Sequence, residues 1–277
     1  MTDQPDDRDN FCYRHPDRQS YILCQRCGRT VCPACSTQAA VGVHCPECVR
    51  EARLNAPRRA PVQIRAARSL RSNSGRPLVT YGLIGISALV FVAQLIFGDA
   101  LTLDLLYFAP ATFEQPWRLV TSLFAHGSPL HLLFNMYSLF VLGRMLEPAL
   151  GHLRFAALYF ISGLGGSIAV LLLAPGNFVL GASGAIFGLL GALVVIVRRL
   201  GGNTAQLLIV IGLNVVIGFV VPNVAWQAHV GGALVGAALA AIYVRTRSDK
   251  RQRLQAALFV AVAVTLVLIA VVRFALG

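Results

Sequence analysis

Charge is what this sequence has least of. Only 13% of its 277 residues are Asp, Glu, Lys or Arg, and one residue, Lys250, supplies all of the lysine. Soluble domains carry about twice that share of charge. The deficit is concentrated in long runs. No charged residue falls between Arg76 and Asp99 (22 residues), Arg118 and Arg144 (25), Arg154 and Arg198 (43), Arg199 and Arg245 (45), or Arg253 and Arg273 (19). Runs of this length exclude an ordinary water-soluble fold, because a bilayer-spanning helix needs roughly 20 apolar residues. Cysteine is absent after Cys48, which excludes a disulfide framework from the apolar part. Acidic residues number 12 against 24 basic ones, for a net charge of +12. That excess does not imply a nucleic-acid partner. Thirteen of the 24 basic residues lie at or before Arg76, and most of the others sit in the breaks between apolar runs, as the positive-inside rule requires.

The apolar runs predict an all-α polytopic membrane protein. The two longest are broken by Ala174-Pro175-Gly176-Asn177 and by Val221-Pro222-Asn223, which terminate helices. Seven spans follow, near 78–97, 128–146, 153–173, 182–198, 205–221, 226–244 and 255–274. The first 76 residues are polar, so no cleavable signal peptide is expected. The loop after span 2 carries Arg144 and Arg154, the loop after span 4 Arg198 and Arg199, and the loop after span 6 Arg245, Arg247, Lys250, Arg251 and Arg253. The loops after spans 3 and 5 carry no charge, and the loop after span 1 has Asp99, Asp104 and Glu114 against Arg118 alone. This predicts a cytoplasmic N-terminus and an extracytoplasmic C-terminus. Arginine in place of lysine, with abundant Ala, Val and Gly, fits a GC-rich bacterial genome and hence the inner (plasma) membrane.

The polar N-terminal part divides further. Residues 1–10 are acidic and expected to be disordered. Residues 11–50 hold all seven cysteines, arranged as Cys12-x2-His15, Cys24-x2-Cys27, Cys32-x2-Cys35 and Cys45-x2-Cys48. Four such pairs supply eight ligands, enough for two tetrahedral zinc ions of structural type. Disulfides are disfavoured on the reducing side of the membrane. His44, next to Cys45, is a possible substitute ligand. Apolar residues are too few here for a core, so metal must supply the folding energy. Residues 51–77 hold seven arginines with Pro57, Pro61 and Gly75, and read as a basic cytoplasmic linker able to lie on anionic headgroups. Residues 12–48 resemble the B-box type of zinc-binding domain. That resemblance implies interleaved sites, with Cys12, His15, Cys32 and Cys35 on one ion and Cys24, Cys27, Cys45 and Cys48 on the other. Spacing alone leaves sequential pairing open. A cytosolic protein partner for this domain is the binding role it suggests.

Within the spans, polar side chains are few and gathered. His131 and Asn135 are separated by i, i+4 in span 2 and share a helix face. Ser183 lies in Gly181-Ala182-Ser183-Gly184 at the start of span 4, and His229 near the start of span 6. Spans 2, 4 and 6 run in the same direction, so all four residues lie roughly 3 to 12 Å below the outer ends of their helices at 1.5 Å per residue. A transport path would spread its polar groups along the depth of the bundle. Gly184 with Gly188, and Gly232 with Gly236, form small-residue faces that allow close helix approach. Ser183 is a nucleophile only if a base removes its proton, and His229 can serve. The free N–H groups at the start of span 4 suit an oxyanion, and His131 and Asn135 can add donors. No carboxylate is placed to orient His229. In the first outer loop stands Trp117-Arg118, whose arginine is either held by carbonyls of its own loop or snorkels.

Residues 78–244 resemble the rhomboid intramembrane serine proteases. The resemblance rests on Trp117-Arg118, His131-x3-Asn135, Gly181-Ala182-Ser183-Gly184 and Ala228-His229-x-Gly231-Gly232. It implies a six-helix core, followed over 245–277 by a cytoplasmic loop and a seventh C-terminal transmembrane helix. It implies Ser183 as nucleophile, His229 as base, and Ser183, His131 and Asn135 at the oxyanion hole. Trp117 and Arg118 would be structural. It further implies cleavage of transmembrane segments of membrane-protein substrates near the outer face, with no cofactor for catalysis. Some relatives carry Tyr four residues after the serine, where this chain has Phe187.

Overall fold

The computed structural model describes residues 10–39, 41–55, 75–220 and 224–275. The expected N-terminal disorder and most of the arginine linker lie outside these residues, as does the Val221-Pro222-Asn223 break. The chain forms two compact units, Met1–Ala60 and Pro61–Gly277.

In the first unit β1 (Phe11–Cys12) pairs antiparallel with β2 (His15–Gln19), and β3 (Thr37–Gln38) with β4 (Val43–His44). Helix α1 (Pro46–Asn55) follows. Its boundary is set by chemistry at both sides of a proline. Pro46 needs no hydrogen bond at the first helical position, and the Cys45 sulfur accepts the Cys48 N–H at 3.4 Å in the manner of a capping oxygen. The helix carries the ordered head to Asn55, five residues past the expected boundary at 50. The buried hydrophobic cluster of this unit consists of six cysteines and Val31. Its interior is therefore its ligand set.

The second unit contains α2 (Leu78–Leu105), β5 (Tyr107–Phe108), α3 (Pro129–Leu150), α4 (His152–Leu173), β6 (Phe178–Val179), α5 (Ser183–Arg199), α6 (Ala205–Val220), α7 (Trp226–Arg245) and α8 (Gln252–Ala275). Its seven long helices fall on the seven expected stretches. Four of them, α2, α4, α7 and α8, are long and apolar enough to cross a membrane. Helix α3 is interrupted by His131, Asn135, Arg144 and Glu147, and α5 and α6 are only 17 and 16 residues long. The first span is longer than expected: helix continues from Asp99 to Leu105 beyond a kink at Gly98, whose φ of 67° is open only to glycine at little cost. Helix α5 is the central element, enclosed by α3, α4 and α7, and its Ala185, Leu189 and Ala192 are fully buried.

A buried carboxylate fixes the start of α2. Glu147, fully buried near the end of α3, accepts the N–H groups of Val79 and Thr80 at 2.8 Å each, the Thr80 hydroxyl at 2.5 Å and His152 Nδ1 at 2.6 Å. Those two N–H groups belong to a first turn that has no side-chain cap of its own, and a negative charge there also favours the helix dipole. Replacing Glu147 with alanine would strand both donors, at about 1–3 kcal/mol each. The expected result is a clear fall in the thermal unfolding midpoint of the detergent-solubilised protein, smaller for Glu147→Gln; an unchanged midpoint would refute the capping role.

Candidate active site

The site begins with a helix cap. Ser128 Oγ accepts the His131 N–H at 3.1 Å and Pro129 occupies the next position, so α3 starts just ahead of His131. The His131 ring receives the Gly127 N–H at Nδ1 in a long 3.5 Å contact. That leaves Nε2 as the protonated nitrogen. Asn135, one turn on, is buried and donates one Nδ2 hydrogen to the His131 carbonyl at 2.9 Å, keeping the other.

Opposite them stands the Gly181–Gly184 turn. Gly181 has φ +119°, and its N–H is tied to Ser122 O at 2.8 Å. A Cβ built on Gly181 would lie 2.7 Å from His131 Cε1, 2.8 Å from Nε2 and 3.9 Å from Asn135 Nδ2. Only glycine satisfies both the conformation and the contact. The pairing of β5 with β6 brings the turn there: Tyr107 opposes Val179 and Phe108 opposes Phe178, with the two phenylalanine rings stacked at 4.6 Å. Ser183 is the first residue of α5 and half-buried. The first bond of that helix is from Ile186 N–H to Ala182 O at 3.0 Å. The N–H groups of Ser183 and Gly184 are therefore not used by the helix.

His229 arrives in the first turn of α7. The α5–α7 seam is backbone against backbone. A Cβ on Gly232 would fall 1.9 Å from Gly184 O, one on Gly236 2.0 Å from Gly188 O, and one on Gly191 2.2 Å from Ala233 O. Phe187, one turn after Ser183, stacks on the His229 ring with centroids 4.1 Å apart and planes 5° from parallel. His229 is buried, and its Nδ1 has no hydrogen-bond partner among the described residues. Ser183 and His229 share no hydrogen bond among the described contacts, and such bonds are often loose before substrate is bound.

Trp117 is exposed, whereas Arg118 is buried. Arg118 donates to the carbonyls of Leu103 and Leu106, the latter at 2.9 Å, and to Gln115 Oε1; Asp104 lies 3.9 Å away. Of the two readings of this arginine, the structure selects the carbonyl-bound one. Asn214 donates to Val210 O of its own helix at 2.8 Å.

One residue beside the site was not singled out from the sequence. His126 is buried, donates Nδ1–H to Phe124 O (3.0 Å) and its backbone N–H to Gln94 Oε1 (3.0 Å), and meets His131 edge-on with centroids 5.1 Å apart. Its signal was a histidine inside a charge-free run, where ionisable groups are rare. Spacing by five from His131 hid it from a search for shared helix faces.

In the head, Cys12, His15, Cys32 and Cys35 form one group and Cys24, Cys27, Cys45 and Cys48 another, each with its ligand atoms within 4.8 Å of one another. The pairs interleave, and His44 belongs to neither group. His15 Nδ1 stands 3.8, 3.6 and 3.3 Å from the sulfurs of Cys12, Cys32 and Cys35, and the Cys27 and Cys45 sulfurs are 3.7 Å apart. The edges of a tetrahedral zinc site would be about 3.6 Å for N–S and 3.8 Å for S–S, so both groups fit such an ion. Burial opposes charge at Cys12 and Cys24, yet backbone hydrogen bonds from Cys32 and Arg14, and from Cys45 and Arg26, hold these thiols down at about 6. Burial, then hydrogen bonds with neighbouring thiols, pushes Cys35 up to about 11 and Cys48 up to about 12. A divalent cation is what lets every thiol of such a group become a thiolate.

A profile of the Rhomboid domain matches residues 114–246. RHOMBOID-like protein 5 of Arabidopsis thaliana is 43% identical over 131 residues, covering 44% of this chain and 42% of its own. The rhomboid protease GluP of Bacillus subtilis (strain 168) is 32% identical over 207 residues, 69% of this chain and 40% of its own. The putative rhomboid protease YdcA of the same strain is 34% identical over 140 residues, 48% of this chain and 70% of its own. The chain thus spans about two fifths of the first two relatives and over two thirds of the third.

Proposed function

This chain belongs to the rhomboid family, and on that premise we propose that it is an integral-membrane serine endopeptidase that cuts transmembrane segments of membrane proteins. Ser183 Oγ attacks the scissile carbonyl while His229 takes its proton, and His229 then returns that proton to the leaving amine. The negative oxygen that forms is met by the unused N–H groups of Ser183 and Gly184, by His131 Nε2–H and by the free Nδ2 hydrogen of Asn135. The reading is a dyad, because no carboxylate reaches His229 among the described residues. The observation that supports the assignment is the seating of Gly181, two residues before Ser183, against His131 and Asn135, with His229 stacked on Phe187 one turn after the serine.

The loop charges support an N-terminus in the cytoplasm, a C-terminus outside, and cleavage near the extracytoplasmic face of an inner membrane. The test is a single-span substrate reconstituted with the wild-type chain in proteoliposomes, with the cut located by mass spectrometry of both products. A cut in the outer third of the span is expected. No cleavage of any of several substrates would sink the enzyme reading, and a cut at the inner end would sink the orientation.

The head is read as a structural zinc domain that recruits a cytosolic protein and takes no part in the chemistry. Stripping the purified full-length chain with a strong chelator is expected to remove two zinc equivalents and abolish hydrogen-exchange protection between Cys12 and Cys48. Cleavage of a short single-span substrate by the membrane unit should persist within about twofold. Loss of cleavage together with the metal would contradict this separation.

A further inference from the structure

The two head clusters differ in access. Six cysteines are between 0% and 5% exposed, whereas Cys27 is open to solvent. It borders a surface concavity of about 570 Å³ that includes Tyr13, Leu23, Arg29 and Thr30. Its neighbour Gly28, at φ +73°, has no side chain and open space where one would be. Arg29 lines the same concavity two residues on, and its guanidinium is held over the Tyr13 ring, 4.9 Å from the centroid. An exposed cysteine sulfur with a cationic side chain in the same concavity is the combination that reacts with small electrophiles. A second sulfur, Cys45 Sγ, waits 3.7 Å away. The cluster formed by Cys12, His15, Cys32 and Cys35 has no sulfur so exposed.

We propose that Cys27 is an oxidative modification site, through which a peroxide converts the Cys24–Cys27–Cys45–Cys48 cluster to a disulfide and expels its metal, leaving the other cluster loaded. The inference rests on the zinc reading above. The Cys27 thiolate attacks one peroxide oxygen; the O–O bond breaks, a sulfenic acid forms and hydroxide leaves. The Cys45 thiolate then attacks that sulfur; an S–S bond forms and a second hydroxide leaves. Two protons from solvent turn the two hydroxides into water. The two electrons lost by the sulfurs are those gained by the peroxide. With two of four ligands gone, the divalent ion dissociates. Cys45 and Cys48 flank the start of α1, so the loss loosens the helix that leads into the arginine linker.

The experiment uses the full-length chain in detergent, with bound zinc quantified first. Hydrogen peroxide is then added while released zinc is followed with a chromogenic chelator. Release of one equivalent of two is expected, with a Cys27–Cys45 disulfide in the peptide mass map and recovery on adding a dithiol and zinc. Cys27→His keeps four ligands but removes the exposed thiol, and should slow release at least tenfold. Arg29→Gln, which touches no ligand bond, should slow it severalfold. A protein without zinc overturns both readings. A protein with two zinc ions that releases both together, releases neither, or reacts at the wild-type rate in both variants overturns this one alone.

Discussion

Alanine in place of Ser183 or of His229 is expected to lower cleavage of a single-span substrate by at least about 10⁴-fold, with the double substitution no worse than either single one. The magnitude follows from the role. A serine hydroxyl keeps its proton at neutral pH, so removing the base disables the nucleophile nearly as fully as removing the oxygen. Groups that act as one unit lose their effect together, and their penalties do not add. His131→Ala and Asn135→Ala should be milder, about 10²- to 10³-fold each, because each removes one donor from a set of several. The measurement is product formation in proteoliposomes, with thermal midpoints alongside. Ser183 is half-buried and makes no described hydrogen bond through its side chain, so its alanine variant should keep the wild-type midpoint. An alanine variant at either position that retains more than about 1% of the activity would rule out the dyad. Additive losses in the double variant would show that the two residues act separately.

The second large effect is expected from a methyl group. Gly232→Ala should reduce cleavage at least about 100-fold and lower the thermal midpoint, although residue 232 contacts no reacting atom. A Cβ there would sit 1.9 Å from Gly184 O and 2.8 Å from Gly184 C, and backbone cannot give way as a flexible side chain does. Helices α5 and α7 must separate, at a cost of about 1–3 kcal/mol for overpacking. Separation moves His229 away from Ser183, and a displacement of about 1 Å can cost about 10²-fold in rate. Gly212→Ala in α6 is the matched control. Nothing lies within 4 Å of its Cβ position, so the change should be neutral or slightly stabilising through helix propensity. Equal behaviour of the two variants would show that the seam does not set the catalytic spacing.

The positions of the helices were legible because a bilayer imposes its thickness on composition: the charge-free runs fall on α2 to α8, and the Ala174-Pro175-Gly176-Asn177 break lies between α4 and α5. The close approach of α5 and α7 was legible from Gly184, Gly188, Gly232 and Gly236, since small residues at i, i+4 have one structural use there. What escaped were contacts between elements far apart in sequence. That Glu147 caps α2 depends on two helix ends meeting, which no local pattern encodes. The two-residue pairing of β5 with β6 is too short to carry a strand signature. The extension of α2 past Gly98 was masked by Asp99 and Asp104, which read as the end of an apolar span although helix does not require apolar residues. In the head, spacing marked the eight candidate ligands but left the pairing open; the B-box resemblance implied the interleaved pairing, and the fold brings those same residues together.

The Glu147 cap also imposes an order on biogenesis. Val79 and Glu147 are 68 residues apart, so at synthesis rates of about 5–20 residues per second several seconds pass between the appearance of the uncapped helix and that of the group that caps it. During that interval the first span has its hydrophobic length but not its anchor. Ribosome stalling between residues 105 and 147 would therefore yield a nascent chain already inserted yet still able to slide along the membrane normal, and the arrival of one carboxylate would fix its depth.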